Sequence, residues 1–566
     1  MGASADTALA TVHRYHDGTK HHFERFARSL GYLDWASQPR PFRSFDGAPV
    51  FPLHPAPGAP ASAYSPPSPA YGEIFAGHRA AAPFDAAAIG DLLRHSLGLS
   101  AWKEFRGSRW SLRVNPSSGN LHPTEAYVIC GPMEGLAAAP AVYHYAADRH
   151  SLEQRCAFDD RDWSGARAAD DDAVFVALTS IYWREAWKYG ERAFRYCQHD
   201  LGHAIAAVAI AAAMLGWRAA LLDWPHRTIA ALTGIDRHDD FADAEREDAG
   251  CILALCRRGG AEPDRTGAGP ARVGADSLMA AVRAGRWTGR ATQLSEDHVQ
   301  WTFIDEIARA TEHPGRPVDD GPAAAAGAGV AGSPPRATSA GGERDARAII
   351  LQRRSAVAFD GRTTIDRTAF FAMLSRVRPA AHAPWDAVWW TPRVHLAIFV
   401  HRVIGLEPGV YLLARDARAL PAWRAACGRE FLWEAAHDDL PFVRLARGDC
   451  RRLAQRLSCD QDIAADGFFS LGMIAEFDGS LDAHGPSFYR HLFWETGVVG
   501  QVLYLEAEAA GARATGIGCF YDDPVHEALG LQGHAFQSLY HFTVGAPVED
   551  GRLTTEPGYA WEIGPS

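Results

Sequence analysis

The sequence has 566 residues, 47% of them hydrophobic and 22% charged, an ordinary globular composition at a length too great for one core. Its 68 acidic residues outnumber 56 basic ones, for a formal charge of −12, and no basic cluster rises above that background, so no nucleic-acid partner is expected. Nine scattered cysteines form no CxxC pair, the N-terminus has no apolar run of signal-peptide length, and the longest apolar stretch (204–217) is too short to span a bilayer; a cytoplasmic protein with no membrane partner is expected.

In chain order, a short helix is predicted near 21–33, followed by a Pro-, Ala- and Ser-rich arm over 37–69. Helix 85–98 precedes strands 125–131, 141–146 and 172–179, then a long helix over 191–216 and a strand over 250–256. Breaks at 257–274 and 314–342 flank HVQWTFIDEIARATE, whose spacing predicts a helix near 297–312. Beyond them come helix 365–378, strands 394–401, 409–414 and 467–475, helix 488–511 and strand 538–545. The expected domains are an N-terminal helix and arm (1–69), a first folded unit (70–260), a linker with a helix (261–342) and a second folded unit (343–566). Elements interleave without a regular βαβ period and no GxGxxG follows a strand, so an α+β arrangement of mixed sheets flanked by helices is expected rather than a dinucleotide-binding fold.

The two large units read as two versions of one plan. Each starts with a basic segment before Phe-Asp (Arg79 and Phe84-Asp85; Arg353-Arg354 and Phe359-Asp360) and continues through a Val-Tyr strand (AVYHYAADRHSL; GVYLLARDARAL). An ungapped alignment of the long helices then sets Gly190 over Gly485, Arg195 over Arg490, Gly202 over Gly497 and Gly216 over Gly511.

Four segments carry chemistry. Pro116-Ser117-Ser118-Gly119-Asn120 is a turn with two hydroxyls and an amide, suited to a flat polar heterocycle or a ribityl chain. Arg353-Arg354-Ser355 can hold a phosphate through charge-assisted bonds, although a solvated basic face has the same composition. Lys188-Tyr189, ahead of the long helix, can move protons if burial or a neighbour tunes them; a surface Lys beside a packing Tyr is the plainer reading. Gly516-Ile517-Gly518 lets backbone approach a planar ring. His199 and His203 lie one helical turn apart but have no third ligand near them in sequence, so no metal is expected.

Taken in order, these segments resemble the nitroreductase superfamily, and within it the SagB-type thiazole/oxazole (azoline) dehydrogenases. Tyr15-His16-Asp17-Gly18-Thr19-Lys20, the Pro116–Pro123 turn and the stretch from Lys188 to Ala193 carry that likeness, which covers most of 10–256 and, more faintly, 343–546. The resemblance implies two nitroreductase-like domains paired within one chain, with FMN at their junction. One composite site would join Arg353, Arg354, Ser355, Gly516, Ile517 and Gly518 of the second unit to Pro116, Ser117, Ser118, Asn120, Lys188 and Tyr189 of the first. In azoline dehydrogenases the Lys-Tyr pair is the proposed proton-handling group, a role that falls here on Lys188 and Tyr189. The reciprocal site has lost its elements: Ala483 and His484 align with Lys188 and Tyr189, PWDAVWWTPRVHL replaces the serine turn, and Leu221-Leu222-Asp223 replaces the glycines. One FMN per chain is therefore expected, and Trp385, Trp389 and Trp390 are candidates to fill the second site.

The expected activity is an FMN-dependent dehydrogenase or oxidase acting on a small heterocycle or a peptide-derived azoline, with other biosynthetic enzymes as partners. An NAD(P)H-dependent nitro or quinone reductase and a flavin-free scaffold of a biosynthetic complex are the alternatives.

Overall fold

The structure, a computed structural model, describes residues 5–54, 67–77, 79–166, 173–257, 274–315, 343–427 and 430–562. Twelve strands build two main sheets. In the first half they are β1 (Thr124–Cys130), β2 (Ala141–Ala146), β3 (Ser151–Ala157), β4 (Ala173–Ser180), β5 (Trp217–Leu221) and β6 (Asp248–Arg257). The second half supplies β7 (Val394–Val400), β8 (Gly409–Leu413), β9 (Phe442–Arg447), β10 (Phe469–Glu476), β11 (Arg513–Ile517) and β12 (Phe536–Gly545). The first sheet runs β3-β2-β1-β4-β6-β5 and the second runs β9-β8-β7-β10-β12-β11, antiparallel throughout. The two halves thus repeat one strand order, and small edge strands extend each sheet.

Before the edge strand of each half lies a helical pair: α1 (Tyr182–Tyr189) and α2 (Ala193–Met214) in the first, α3 (Asp478–His484) and α4 (Phe488–Ala509) in the second. Every residue of α2 and all but one of α4 are buried. Helices buried on all sides belong inside a core rather than on a surface, and these two pack on each other as the axis of an intrachain pseudo-dimer. The Trp494 indole donates to Gln198 Oε1 (2.8 Å), and His199 Nδ1 pairs with the Thr496 hydroxyl (2.7 Å) across their crossing. Two α+β units of mixed helices and sheet, joined in this way, are the architecture. Among the described residues no helix is long and apolar enough to cross a membrane.

The halves also exchange segments. A hairpin of Leu99–Phe105 and Ser108–Arg113 in the first half receives a third strand, Thr554–Pro557, from the far end of the chain. Buried Arg490 of α4 reaches back to Asp248 (2.8 Å) and the Ala308 carbonyl (2.8 Å). Arg195 of α2 and Arg192 just before it both pair with Asp522 (2.9 Å each), so cations at each long helix end on the other half.

The N-terminal helix is Ala5–Gly18, not 21–33. Residues 21–33 instead run from the second half to the first: the His21 amide donates to Asp522, Lys20 beside it pairs with Asp17 and Asp523, and the Arg28 carbonyl accepts from the Glu191 amide (2.9 Å). Tertiary ion pairing has overridden the local helical pattern there. The described part of the 37–69 arm is packed, with Arg43 and Phe45 buried. Helix Thr302–Ala310 lies against the N-terminal helix, where Arg14 pairs with Glu306 (2.5 Å). Residues 55–66, 258–273 and 316–342 lie outside the described residues.

Candidate functional site

The turn after the hairpin positions the first group of side chains. Gly119, Asn120 and His122 all have positive φ (60°, 61° and 53°), which curls the backbone so that the serines face the helices. The Ser117 hydroxyl accepts from the His122 amide (2.8 Å) and donates to Glu185 Oε1 (3.4 Å). Ser118 donates to Asp200 Oδ1 through its amide (3.2 Å) and its hydroxyl (3.3 Å). Asn120 spends its amide within the turn, donating to the Ser111 carbonyl (2.9 Å) and pairing with His122 Nε2 (2.9 Å). It shapes the loop and presents little to a ligand.

Lys188 and Tyr189, at the end of α1, close over this turn. A Cβ placed on Gly119 would lie 2.6 Å from the Tyr189 hydroxyl and 3.3 Å from Lys188 Nζ. Lys188 is exposed and Tyr189 half-buried. Burial, then Glu185, pushes the Tyr189 phenol well above its ordinary range.

The sequence reading missed Glu185 and Asp200. Both are buried, on α1 and α2, beneath Ser117 and Ser118. Burial lifts Asp200 to about 7; burial and then Asp200 push Glu185 well upward. No strong signal marks them in the sequence, because YWREAWKY and RYCQHDLGH carry other charged and polar residues and only burial in the fold singles these two acids out.

From the second half, Arg353 crosses to this loop and donates to the Arg113 and Val114 carbonyls (3.0 Å each), with the Tyr504 ring 5.0 Å from its guanidinium. Its Nη1 is buried without a hydrogen-bond partner, as are Asn115 Oδ1 and His203 Nδ1. Ser355 shares a hydrogen bond with the Tyr504 hydroxyl (2.8 Å), which also accepts from the Gly516 amide (2.9 Å). Arg354 does not enter this junction. It lines an adjoining cleft of about 340 Å³ with Lys103, Gln352, Glu508, Arg513, Glu549 and Thr555. Burial, with Arg353 and Arg513 nearby, lowers Arg354 to about 9, and burial plus Arg354 lowers Lys103. Crowded cations of this kind favour an anion among them, and Glu508 and Glu549 already supply two, Glu549 pairing with Arg513 (2.5 Å).

Planar rings do lie on residues 516–518, at the end of β11, and they are the protein's own. A Cβ on Gly516 would fall 1.9 Å from the Tyr540 hydroxyl, and one on Gly518 2.4 Å from Tyr196 Cε1. The Tyr196 hydroxyl donates to the Gly518 carbonyl (3.1 Å), and Ile517 is buried. His199 stacks on Tyr540 (4.2 Å) and His203 lies 3.4 Å from its hydroxyl.

The fold that carries this site has a counterpart among solved structures. The chain has the nitroreductase fold. Over 95% of its length and 99% of the other chain, it superposes on an Anabaena variabilis protein assigned to the nitroreductases, with a TM-score of 0.67 and 21% identity. A nitroreductase-assigned protein of Ralstonia eutropha covers 41% of this chain and 98% of its own (TM-score 0.26, 14% identity). The Escherichia coli microcin synthetase McbBCD complex covers 46% and 94% (TM-score 0.25, 18% identity). No family model and no curated protein matches the chain.

The donor set at this junction suits a polar ligand. Arg353 Nη1, Asn115 Oδ1 and His203 Nδ1 are orphaned polar atoms at the junction, and the Lys103–Arg354–Arg513 cleft suits a phosphate. The ring slot over Gly516–Gly518 is filled by Tyr540 and Tyr196 in this conformation, so a flavin ring enters only if those side chains move.

The reciprocal junction is packed with aromatics. Trp389 lies 6.1 Å from His484 and 5.4 Å from His491, and Trp390 lies 4.9 Å from His491 and donates to Glu495 (3.0 Å). Asp223 pairs with His313 (2.6 Å), and Arg79 turns away to the Pro67 carbonyl (3.3 Å). Trp385 stands apart, under the Arg415 guanidinium at 4.6 Å.

Proposed function

We propose that this chain is an FMN-dependent oxidoreductase with a single composite site, acting on a small heterocycle or a peptide-derived azoline, alone or beside other biosynthetic enzymes. The carrying observation is the meeting of Arg353 with the Arg113–Asn115 backbone, at a junction where three buried polar atoms lack protein partners. In this reading Arg354, Lys103 and Arg513 hold the phosphate. Arg353, Asn115 and His203 face the polar part of the cofactor, while Ser355 and Gly516–Gly518 border its ring. FMN, when bound, supplies the two-electron acceptor.

The chain's own groups manage protons and access. Lys188 and Tyr189 stand over the serine turn at the solvent side, where a substrate C–H or N–H proton is taken up. Ser117 connects that turn to Glu185, and Ser118 connects it to Asp200. Asp200, raised to about 7, stores a proton close to neutral pH, the range useful for acid–base transfer, and Glu185 is shifted in the same direction. Tyr540, Tyr196 and Tyr504 shut the junction against water when no ring is present.

Acid release of the purified chain's cofactor, with mass identification and fluorescence quantitation, tests the proposal: one FMN per chain is expected, and two would contradict it. The tyrosine-filled slot favours a second reading, a flavin-free scaffold, which predicts a colourless protein that fails to take up added FMN. Anaerobic mixing of the yellow protein with NADPH separates dehydrogenase from reductase, since rapid bleaching identifies the latter.

A further inference from the structure

Seven of the nine cysteines are buried; Cys459 and Cys519 are the two that reach partial exposure. They come from distant parts of the second half, yet their sulfurs are 2.6 Å apart. Cys519 lies two residues past the end of β11, and Cys459 lies two residues past helix Arg451–Leu457. Gln461 ties the two segments together, its side-chain amide donating to the Ser458 (2.8 Å) and Cys519 (3.1 Å) carbonyls. A disulfide bond measures about 2.05 Å, so a small local movement joins the pair.

The surroundings differentiate the two thiols. His21 lies beside Cys519, and neither of its ring nitrogens has a hydrogen-bond partner elsewhere. Arg192, anchored on Asp522, reaches the Gly518 carbonyl (3.3 Å) next door. The Cys459 hydrogen bond, with His21 and Arg192 behind it, brings Cys519 down to about 5 against the effect of burial, while Cys459 is pushed upward by Cys519 and by burial. A thiolate beside a thiol, partly exposed and with the Arg192 guanidinium close by, is the arrangement of an attacking and a resolving cysteine.

We propose that Cys459 and Cys519 form a redox-active dithiol that exchanges with an external low-molecular-weight disulfide. The Cys519 thiolate attacks one sulfur of that disulfide, whose S–S bond breaks; the first leaving thiolate takes a proton from water. Cys459 gives its proton to solvent and its sulfur attacks Cys519 in the mixed disulfide, releasing the second thiolate, which is protonated in turn. The protein dithiol is oxidised by two electrons and the external disulfide is reduced to two thiols. The new bond restrains Cys519, one residue from a carbonyl gripped by Tyr196 and Arg192 of the other half, so the redox state is felt at the composite junction.

The test uses the full chain, poised in glutathione buffers from reducing to oxidising, quenched with acid, alkylated after unfolding and mapped by peptide mass spectrometry. The expected result is joint loss of alkylation at Cys459 and Cys519, with one linked peptide pair and the seven buried cysteines fully alkylated. Under reducing native conditions at pH 7, Cys519 should alkylate at least about tenfold faster than Cys459, following its greater thiolate fraction. In Cys459→Ser, a glutathione adduct should persist on Cys519, since nothing resolves it. The proposal is overturned if both cysteines remain alkylated across the buffers, or if wild type keeps the same unresolved adduct as Cys459→Ser. These readouts are independent of any bound flavin.

Discussion

Gly202 of α2 and Gly497 of α4 meet face to face where the long helices cross. A Cβ on Gly202 would sit 2.2 Å from the Trp494 carbonyl oxygen and 2.8 Å from Gly497 Cα; one on Gly497 would sit 2.3 Å from the His199 carbonyl oxygen and 2.7 Å from Gly202 Cα. Those contacts are with backbone, which cannot swing aside. The same two glycines occupy equivalent positions when the helices are aligned by sequence, as expected of residues near an approximate two-fold axis.

Gly202→Ala should therefore force the helices apart. Overpacking a tight core typically costs about 1–3 kcal/mol, so a clear fall in thermal midpoint is expected, and Gly497→Ala should match it. Differential scanning fluorimetry at fixed scan rate reads this. An unchanged midpoint for both variants would mean that the helices do not cross here.

Lys188→Ala and Tyr189→Phe should retain FMN while slowing substrate oxidation by about 10²-fold or more, the scale of a lost general acid or base. Arg354→Ala should instead lower FMN occupancy, because the cleft loses a charge-assisted partner. Arg79→Ala, at the other junction, should change neither. Flavin absorbance and single-turnover rates on the same preparations separate these effects. Full turnover in Lys188→Ala together with flavin loss in Arg79→Ala would reverse the assignment of the two junctions.

Tyr540→Ala removes a ring that lies on Gly516. If FMN and Tyr540 compete for that slot, the variant should bind added FMN more tightly than wild type in equilibrium dialysis. Weaker binding would assign Tyr540 to holding the ligand rather than to closing the empty site.

The buried acids set a pH dependence. Asp200 has its folded pKa raised from an ordinary carboxylate value to about 7, so the folded state holds a proton that the unfolded chain gives up. That contribution is most favourable below about pH 4 and is lost as pH rises toward 7. Asp522 acts oppositely: burial works against it, but Arg192 and Arg195 hold it down to about 2, and its contribution is lost as pH falls below about 4. Asp200→Asn should flatten the decline in thermal midpoint between pH 5 and 8 while leaving the acid limb in place. An unaltered decline would place the titrating group elsewhere.

Much of the fold is visible in the chain because the buried strands are continuous apolar runs and the long helices end at glycines that must take positive φ. Gly216 (φ 73°) and Gly511 (φ 75°) close α2 and α4, and Gly190 (φ 55°) and Gly485 (φ 79°) close the short helices before them. The hairpin of 99–113 was not legible: its turn is Arg106-Gly107, both at positive φ, and Arg is an unusual residue there. The composite site was legible where glycines and serines fix backbone shape. Its filling was not, because Tyr196, Tyr504 and Tyr540 sit in ordinary helix and strand contexts and only the tertiary packing sends them onto Gly516 and Gly518. Glu185 and Asp200 were hidden for a similar reason, being single acids among other charged and polar residues of their helices.

The strand Thr554–Pro557 bears on how the molecule assembles. Thr555 meets Lys103, 452 residues earlier in sequence, and buried Tyr559 donates to the Ala147 carbonyl (2.7 Å) and accepts from the Leu99 amide (2.9 Å). During synthesis the first half emerges with that sheet edge open and waits for almost the whole remainder of the chain before it is covered. Its hairpin spends that interval as an unpaired edge, the kind of surface on which misassembly begins. Cutting the chain after Gly551 should leave both halves chemically intact yet shift the product toward aggregates, because the strap that completes one half is carried by the other.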